Sequence, residues 1–542
     1  MITTPRRRLT ALVAATVALA ACGSDTPPSK SSGATQQATV TPEGSKPVPK
    51  ITWALYRDVA GLDPVFAFDY PENTVLSLLC EAPLRQNPDG TIVSGITDVT
   101  TPDATTMMLK IKPGVTFWNG DPVTAADVAF SLNRNRNKEI PGFYGQVYAR
   151  VADIQASTAD TVTITLSEPD QWLKGELAST SAWVVQQKFV EAAGGDFGNP
   201  TGRTMCSGAY KLGDWQTGSP LSAVRNDSYW NTAVKPKVAE ISFIAAPDPT
   251  ALTAGLQSGD VNGYFAFAGM PTLTQLKADK RVTVTSGAGY QMDALVLSGG
   301  PDSTLGTVKA RQALSLAIDR TSYIAQVIPG GAVLPKSFAP PGLWSYASAA
   351  FKAAYAALAD VTQDLDKAKA LAKEAGIEGK SITIGLFAEA SNLVAEVAAI
   401  QKAAEAIGLK VTLKTVPADQ YINFFIDPEF RKGVDGFVTV SYPDFADPGA
   451  LFAIFALPDG SQNYSGYSNP QVTQLLNEAR STADDNTRAA KVIEAQKLLM
   501  NDLPYIPMSL PYNTTITSSN LSGEVPSFAM MFAPWADKLG GV

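Results

Sequence analysis

The chain has 542 residues, with 43 Lys and Arg against 51 Asp and Glu, and no histidine. Lacking histidine, it cannot use Ser-His-Asp or Cys-His catalysis, His-ligated zinc, or a His-held nickel or haem. The net charge is −8 and the basic residues form no block beyond Arg6-Arg7-Arg8, so nucleic acid is not an expected partner.

Residues 1–22 read as a lipoprotein signal. Arg6, Arg7 and Arg8 make a positive start, and Leu9 to Ala18 make an apolar run too short to span a bilayer. Leu19-Ala20-Ala21-Cys22 then matches a lipobox, which puts a lipidated Cys22 at the mature terminus and predicts a membrane anchor that does not span. Residues 23–50, rich in Ser, Thr, Pro, Gly and Gln, predict a disordered tether with a reach on the order of 30 Å. The remaining residues, roughly 490, can bury more than one core, so two or more lobes are expected. With Cys22 lipidated, Cys80 and Cys206 are left. An even pair in an oxidising compartment is expected as a disulfide, with two buried thiols as the alternative.

Ile51–Leu55 predicts a strand and Glu72–Leu79 the body of a helix. Met107–Ile111 and Val162–Leu166 alternate with period two and predict strands. Between them Asn119-Gly120-Asp121-Pro122 makes a turn. Thr124 is placed as an N-cap with Asp127 at the third helical position, opening a helix over 125–134. Gly208–Leu212 and Leu221–Val224 predict strands around Gly218-Ser219-Pro220. They are followed by Arg225-Asn226-Asp227-Ser228-Tyr229-Trp230, then by a strand at Ile241–Ile244 and a helix over 248–258. Arg311–Arg320 predicts an amphipathic helix. Asp366 is expected to cap a helix running through Ala375, with Gly376 ending it. Ser381–Leu386, a helix carrying Leu393, Val397, Ile400, Ala404 and Ile407 on one face, and Val411–Val416 together predict a βαβ unit. A mixed α/β sheet with at least one parallel pair follows.

The run Phe117-Trp118-Asn119-Gly120-Asp121-Pro122-Val123-Thr124-Ala125-Ala126-Asp127-Val128 closely resembles the signature of the family 5 extracellular solute-binding proteins, which include oligopeptide- and dipeptide-binding lipoproteins of ABC importers. A Gly-x-Tyr strand at Gly208, Trp215, the Arg225–Trp230 block, Arg311–Arg320 and Gly466-Tyr467-Ser468-Asn469-Pro470 continue the resemblance in the family's order over nearly all of residues 51–520. It implies an α/β, two-lobed periplasmic-binding-protein fold with mixed sheets, a hinge, and an extra subdomain inserted in the first lobe. The implied division is lobe I at 51–78, 204–288 and 513–542, the inserted subdomain at 79–203, and lobe II at 289–512.

The resemblance also implies function: capture of a small solute, such as a short peptide, in the interlobe cleft by a monomer, and its delivery unaltered to ABC permease subunits. This would take place at the outer face of the cytoplasmic membrane, with no cofactor or metal. A hydrolase would need paired carboxylates or a Ser-Lys dyad, and the chain has no compact motif for either, so a non-enzyme is expected. Open alternatives are a glycan, a glycolipid headgroup or a metal chelate as cargo, or a regulatory envelope lipoprotein that transports nothing. The expected site segment is Ser441-Tyr442-Pro443-Asp444-Phe445-Ala446-Asp447-Pro448, after the strand Gly436–Val440. By position Asp444 matches the family Asp that pairs with a peptide's α-ammonium group, and Ser441 stands where the family often has Trp. Tyr70, Tyr144, Tyr148, Trp344 and Arg431 complete the expected ligand-binding residues, with Ser441, Tyr442 and Phe445.

Overall fold

The computed structural model describes residues 39–267, 269–387 and 391–542. The expected signal and Cys22 lie outside them. Three main sheets organise the chain. The largest has seven strands in the spatial order Val282–Gly287, Asn513–Ser518, Gly263–Ala266, Ile51–Leu55, Glu240–Ala245, Leu221–Arg225, Tyr210–Leu212. Ile51–Leu55 runs parallel to both of its neighbours and the outer pairings are antiparallel, so the sheet is mixed.

The second sheet, in the other lobe, has six strands. They run in the order Ala332–Val333, Tyr505–Pro511, Met292–Leu297, Gly436–Ser441, Ser381–Phe387, Lys410–Val416. Ser381–Phe387 is parallel to Lys410–Val416 and to Gly436–Ser441. The crossover is the helix Ser391–Ala406, and Val397, Ile400 and Ala404 on one of its faces enter the core beneath this sheet with Leu393 and Ile407. Burying each such side chain contributes on the order of 1.5–3 kcal/mol, more than the propensity of any single residue, so the apolar stripe fixes the helix here.

Two expected boundaries shift. The helix expected from Asp366 is Leu365–Glu374, capped by Asp364, whose carboxylate accepts from Lys367 N at 3.0 Å. The helix expected over 311–320 is Val308–Ala317. Ile318 turns extended and Asp319 caps a second helix, Arg320–Val327, by accepting from Ser322 N.

A third sheet, antiparallel, is built from Thr97–Asp103, Thr106–Ile111, Thr161–Leu166 and Val151–Ala156, with the helix Ala125–Arg136 against it. That helix starts with a reciprocal capping box between Thr124 and Asp127. The chain leaves the seven-stranded lobe for this subdomain near Cys80 and returns near Cys206. The two cysteines form a disulfide with their Cα atoms 4.8 Å apart, and Gly208 N donates to Leu79 O beside it. A Cβ at Gly208 would lie 2.4 Å from that oxygen, so no side chain fits at the neck.

The two large sheets are joined where strands run from one to the other. Val282–Gly287 is followed by Met292–Leu297, and Tyr505–Pro511 by Asn513–Ser518. These crossings lie side by side, since a Cβ on Gly289 would sit 2.1 Å from Pro511 O. At the opposite end of the fold, part of the expected tether is not free. Ser45 N and Lys46 N donate to Gly541 O, Gly541 N donates back to Lys46 O, and Thr41 Oγ1 donates to Glu524 Oε2 at 2.9 Å. Backbone pairing with the end of the chain therefore holds residues 41–48 on the first lobe. No described helix is long and apolar enough to cross a membrane.

Candidate functional site

Gly436–Ser441 ends where the second lobe meets the other two bodies, and the residues after it form the meeting surface. Tyr442 OH donates to Phe68 O at 2.9 Å, and its ring lies 5.4 Å from Tyr70 and 5.0 Å from Phe528. Tyr70 opens the helix Tyr70–Leu79, stacks on Phe267 at 3.8 Å and donates to Gln291 Oε1 at 3.0 Å. Rings from the first lobe, the second lobe and the C-terminal segment thus form one aromatic wall. A few residues on, Phe445 packs with Trp172 and Ala450, and its ring lies so near Gly175 that a Cβ there would come within 2.2 Å. Asp170 binds Arg480 through both carboxylate oxygens, at 2.9 and 2.5 Å, and Arg150 donates to Ser481 Oγ and Asn477 Oδ1. The subdomain and the second lobe are therefore in direct contact along a polar and aromatic seam.

Asp444 lies in this seam. Its carbonyl accepts from Gln86 Nε2 at 2.6 Å, but its carboxylate has no hydrogen-bond or ion-pair partner among the described residues. Burial pushes that carboxyl up to about 7. Glu176, from the one-turn helix Leu173–Glu176, is also held well above the carboxylate range, first by burial and next by the charge of Asp444. Tyr144 OH is fixed on Ala67 O at 2.7 Å, and burial and then the charge of Asp444 raise its pKa. A partly buried acid without a cation, walled by tyrosines, suits a ligand that carries positive charge.

Tyr442, Asp444, Tyr144 and Tyr70 are brought together here, and Phe445 supports them from inside the seam. The other expected residues are engaged elsewhere. Ser441 is buried with its Oγ on Gln462 Oε1 at 3.0 Å, and Tyr148 OH is tied to Ser181 O at 2.8 Å. Trp344 packs 5.5 Å from Tyr355, and Arg431 donates to Phe424 O and stacks over Tyr464. Asp447 is a helix cap, accepting from Gly449 N and Ala450 N. Reading the sequence misses Glu176, Gln86, Phe68, Phe267 and Phe528, since each comes from a segment with no local motif. A separate cavity of about 220 Å³ opens on the first lobe at Val59, Trp215 and Phe243. It gathers none of these groups, so the seam is the stronger candidate.

The family model for bacterial extracellular solute-binding proteins, family 5, matches residues 93–463. The chain belongs to that family. This family 5 protein is 24% identical to the oligopeptide-binding protein OppA of Bacillus subtilis over 86% of its length and 88% of the relative's. It is 26% identical to the dipeptide-binding protein of Escherichia coli over 70% and 72%. Its fold matches the Helicobacter pylori periplasmic binding protein DppA, solved in complex with the peptide STSA. The TM-score is 0.79 at 20% identity, over 92% of this chain and 98% of that one. The family 5 protein is accordingly two-lobed and α/β.

Proposed function

We propose that this chain is the substrate-binding protein of an ABC importer. It encloses a short peptide between its lobes and passes it, chemically unchanged, to a membrane permease. Lipid on Cys22 holds it at the outer face of the cytoplasmic membrane. The observation that carries this reading is the Asp444 carboxylate, which no cation meets, at a strand end between two lobes whose crossings lie side by side. A peptide's ammonium would supply that cation, and the tyrosine wall would flank the residues behind it. The likeness to peptide-binding relatives supports the choice of cargo.

Calorimetry with tri-alanine and N-acetyl-tri-alanine tests the reading. Asp444→Asn is expected to weaken tri-alanine by about 10- to 100-fold, as expected when a charge-assisted bond worth ~1.5–3 kcal/mol is lost, and to leave the melting temperature nearly unchanged. Equal binding by the variant, or a collapse of its melting temperature, makes Asp444 structural. Solution scattering is expected to show compaction on adding peptide. The buried Ser441 presents no ring at its position, which keeps a second reading in view, the same fold closing on a glycan, a glycolipid headgroup or a metal chelate. Native mass spectrometry of co-purified ligand separates the two.

A further inference from the structure

The inserted subdomain brings a second carboxylate to Asp444. Glu176 is flanked by residues that touch the second lobe's segment. Gly175 abuts the Phe445 ring, and Gln86 Nε2 bridges Ala178 O at 3.5 Å and Asp444 O at 2.6 Å. Glu176 accepts only long bonds, from Ser179 Oγ at 3.5 Å and Ser181 Oγ at 3.4 Å. The nearby arginine, Arg480, is already bound by both oxygens of Asp170. Gln86 is 1% exposed, and its Oε1 is buried with no donor. Three acceptor groups from two bodies, Asp444, Glu176 and Gln86 Oε1, therefore lie along this seam with no short hydrogen bond among the described residues.

An ammonium carries three donors and no acceptor, and so matches that set, whereas an acylated or quaternary nitrogen does not. We propose that Glu176 and Asp444 form a two-carboxylate receptor for a primary ammonium, with Gln86 Oε1 as third acceptor, so that the subdomain seats on the second lobe only with that cation, or a proton, between them. This rests on the reading of Asp444 given above and extends it to the subdomain. The groups facing the pair are Asp170 and Arg480, which respectively add to and oppose its charge, and the hydroxyls of Tyr144, Tyr148 and Tyr442, which burial keeps protonated. The empty pair thus retains a proton near neutral pH, which the ammonium displaces.

Calorimetry of the full chain at pH 6.5, in two buffers of different ionisation heat, reads both affinity and proton release. The probes are tri-alanine, N-acetyl-tri-alanine and 1,5-diaminopentane. Wild type is expected to bind tri-alanine with release of up to about one proton, and the acetylated peptide about 100-fold more weakly. Glu176→Gln is expected to lose about tenfold in affinity and most of the proton release. Glu176→Asp, which keeps the charge but draws it back, is expected to lose affinity with the release retained. It serves as the test if the amide variant folds poorly. Wild-type affinity and proton count in both variants would overturn the receptor and leave the Asp444 anchor standing. Binding of diaminopentane with proton release, but of no peptide, would uphold the receptor and overturn the peptide reading. Binding of neither probe by wild type would overturn the receptor.

Discussion

Asp293 stands on the strand Met292–Leu297 at 2% exposure. Ser509 Oγ donates to its Oδ2 at 2.5 Å, and its Oδ1 has no partner. Glu396, on the helix Ser391–Ala406, accepts from the Tyr323 hydroxyl, and its Oε1 has no partner among the described residues. Burial pushes Asp293 up to about 7, and it raises Glu396 as well, with the charge of Asp293 as the next cause. The folded chain therefore holds protons that the unfolded chain gives up, so stability falls as pH rises from the ordinary carboxyl range toward 7. Asp293→Asn removes the titration and gives Glu396 Oε1 a possible donor. Melting curves are expected to show the variant stabilised on the order of 1–3 kcal/mol at pH 8, with little change at pH 4.

The one-turn helix Leu173–Glu176 shows how a short element can seat one body on another. Gly175 is buried in this helix, and a Cβ there would meet the Phe445 ring at 2.2 Å, at the contact between the subdomain and the second lobe. Gly175→Ala is expected to leave the melting temperature of the ligand-free chain within a few degrees, because alanine favours the helix. It should also weaken tri-alanine by about tenfold and leave scattering profiles expanded with peptide present. Wild-type compaction in the variant would show that the ring yields. Elements of this kind separate what local sequence carries from what it does not. The Thr124–Asp127 cap, the stripe from Leu393 to Ile407 and the period-two strands were legible because each is fixed by neighbours within a few residues. The break at Ile318 was not, because Asp319 could either continue a helix or cap the next one. Asp444 was singled out by its resemblance to the family's Asp, in a segment that follows a strand. Glu176 carries no local signal, and its proposed part in the site depends on the subdomain being seated.

In the whole molecule, three bodies are joined by narrow necks, and the Cys80–Cys206 bridge closes one of them across a sequence separation of 126. Chain entropy alone gives such a loop a contribution of ~4–5 kcal/mol, to be compared with the ~5–15 kcal/mol by which domains are stable. Cys80→Ser with Cys206→Ser is expected to cost about 2–5 kcal/mol in denaturant titrations. The loss should appear first in the subdomain, as hydrogen exchange in Thr97–Ile111 faster than in Met292–Leu297. Uniform loss across both strands would mean that the bodies unfold as one.

The pairing of Lys46 with Gly541 puts the first described residues and the chain's last strand on the same side of the first lobe. The proposed leash, running back from Thr41, would pull first on that lobe's own last strand, and the body carrying Asp444 would feel it only through the two crossings and the contacts of the seam. Cargo fused behind Val542 would push against this Lys46–Gly541 pairing, and would disturb the proposed mooring before it reached the Asp444 segment.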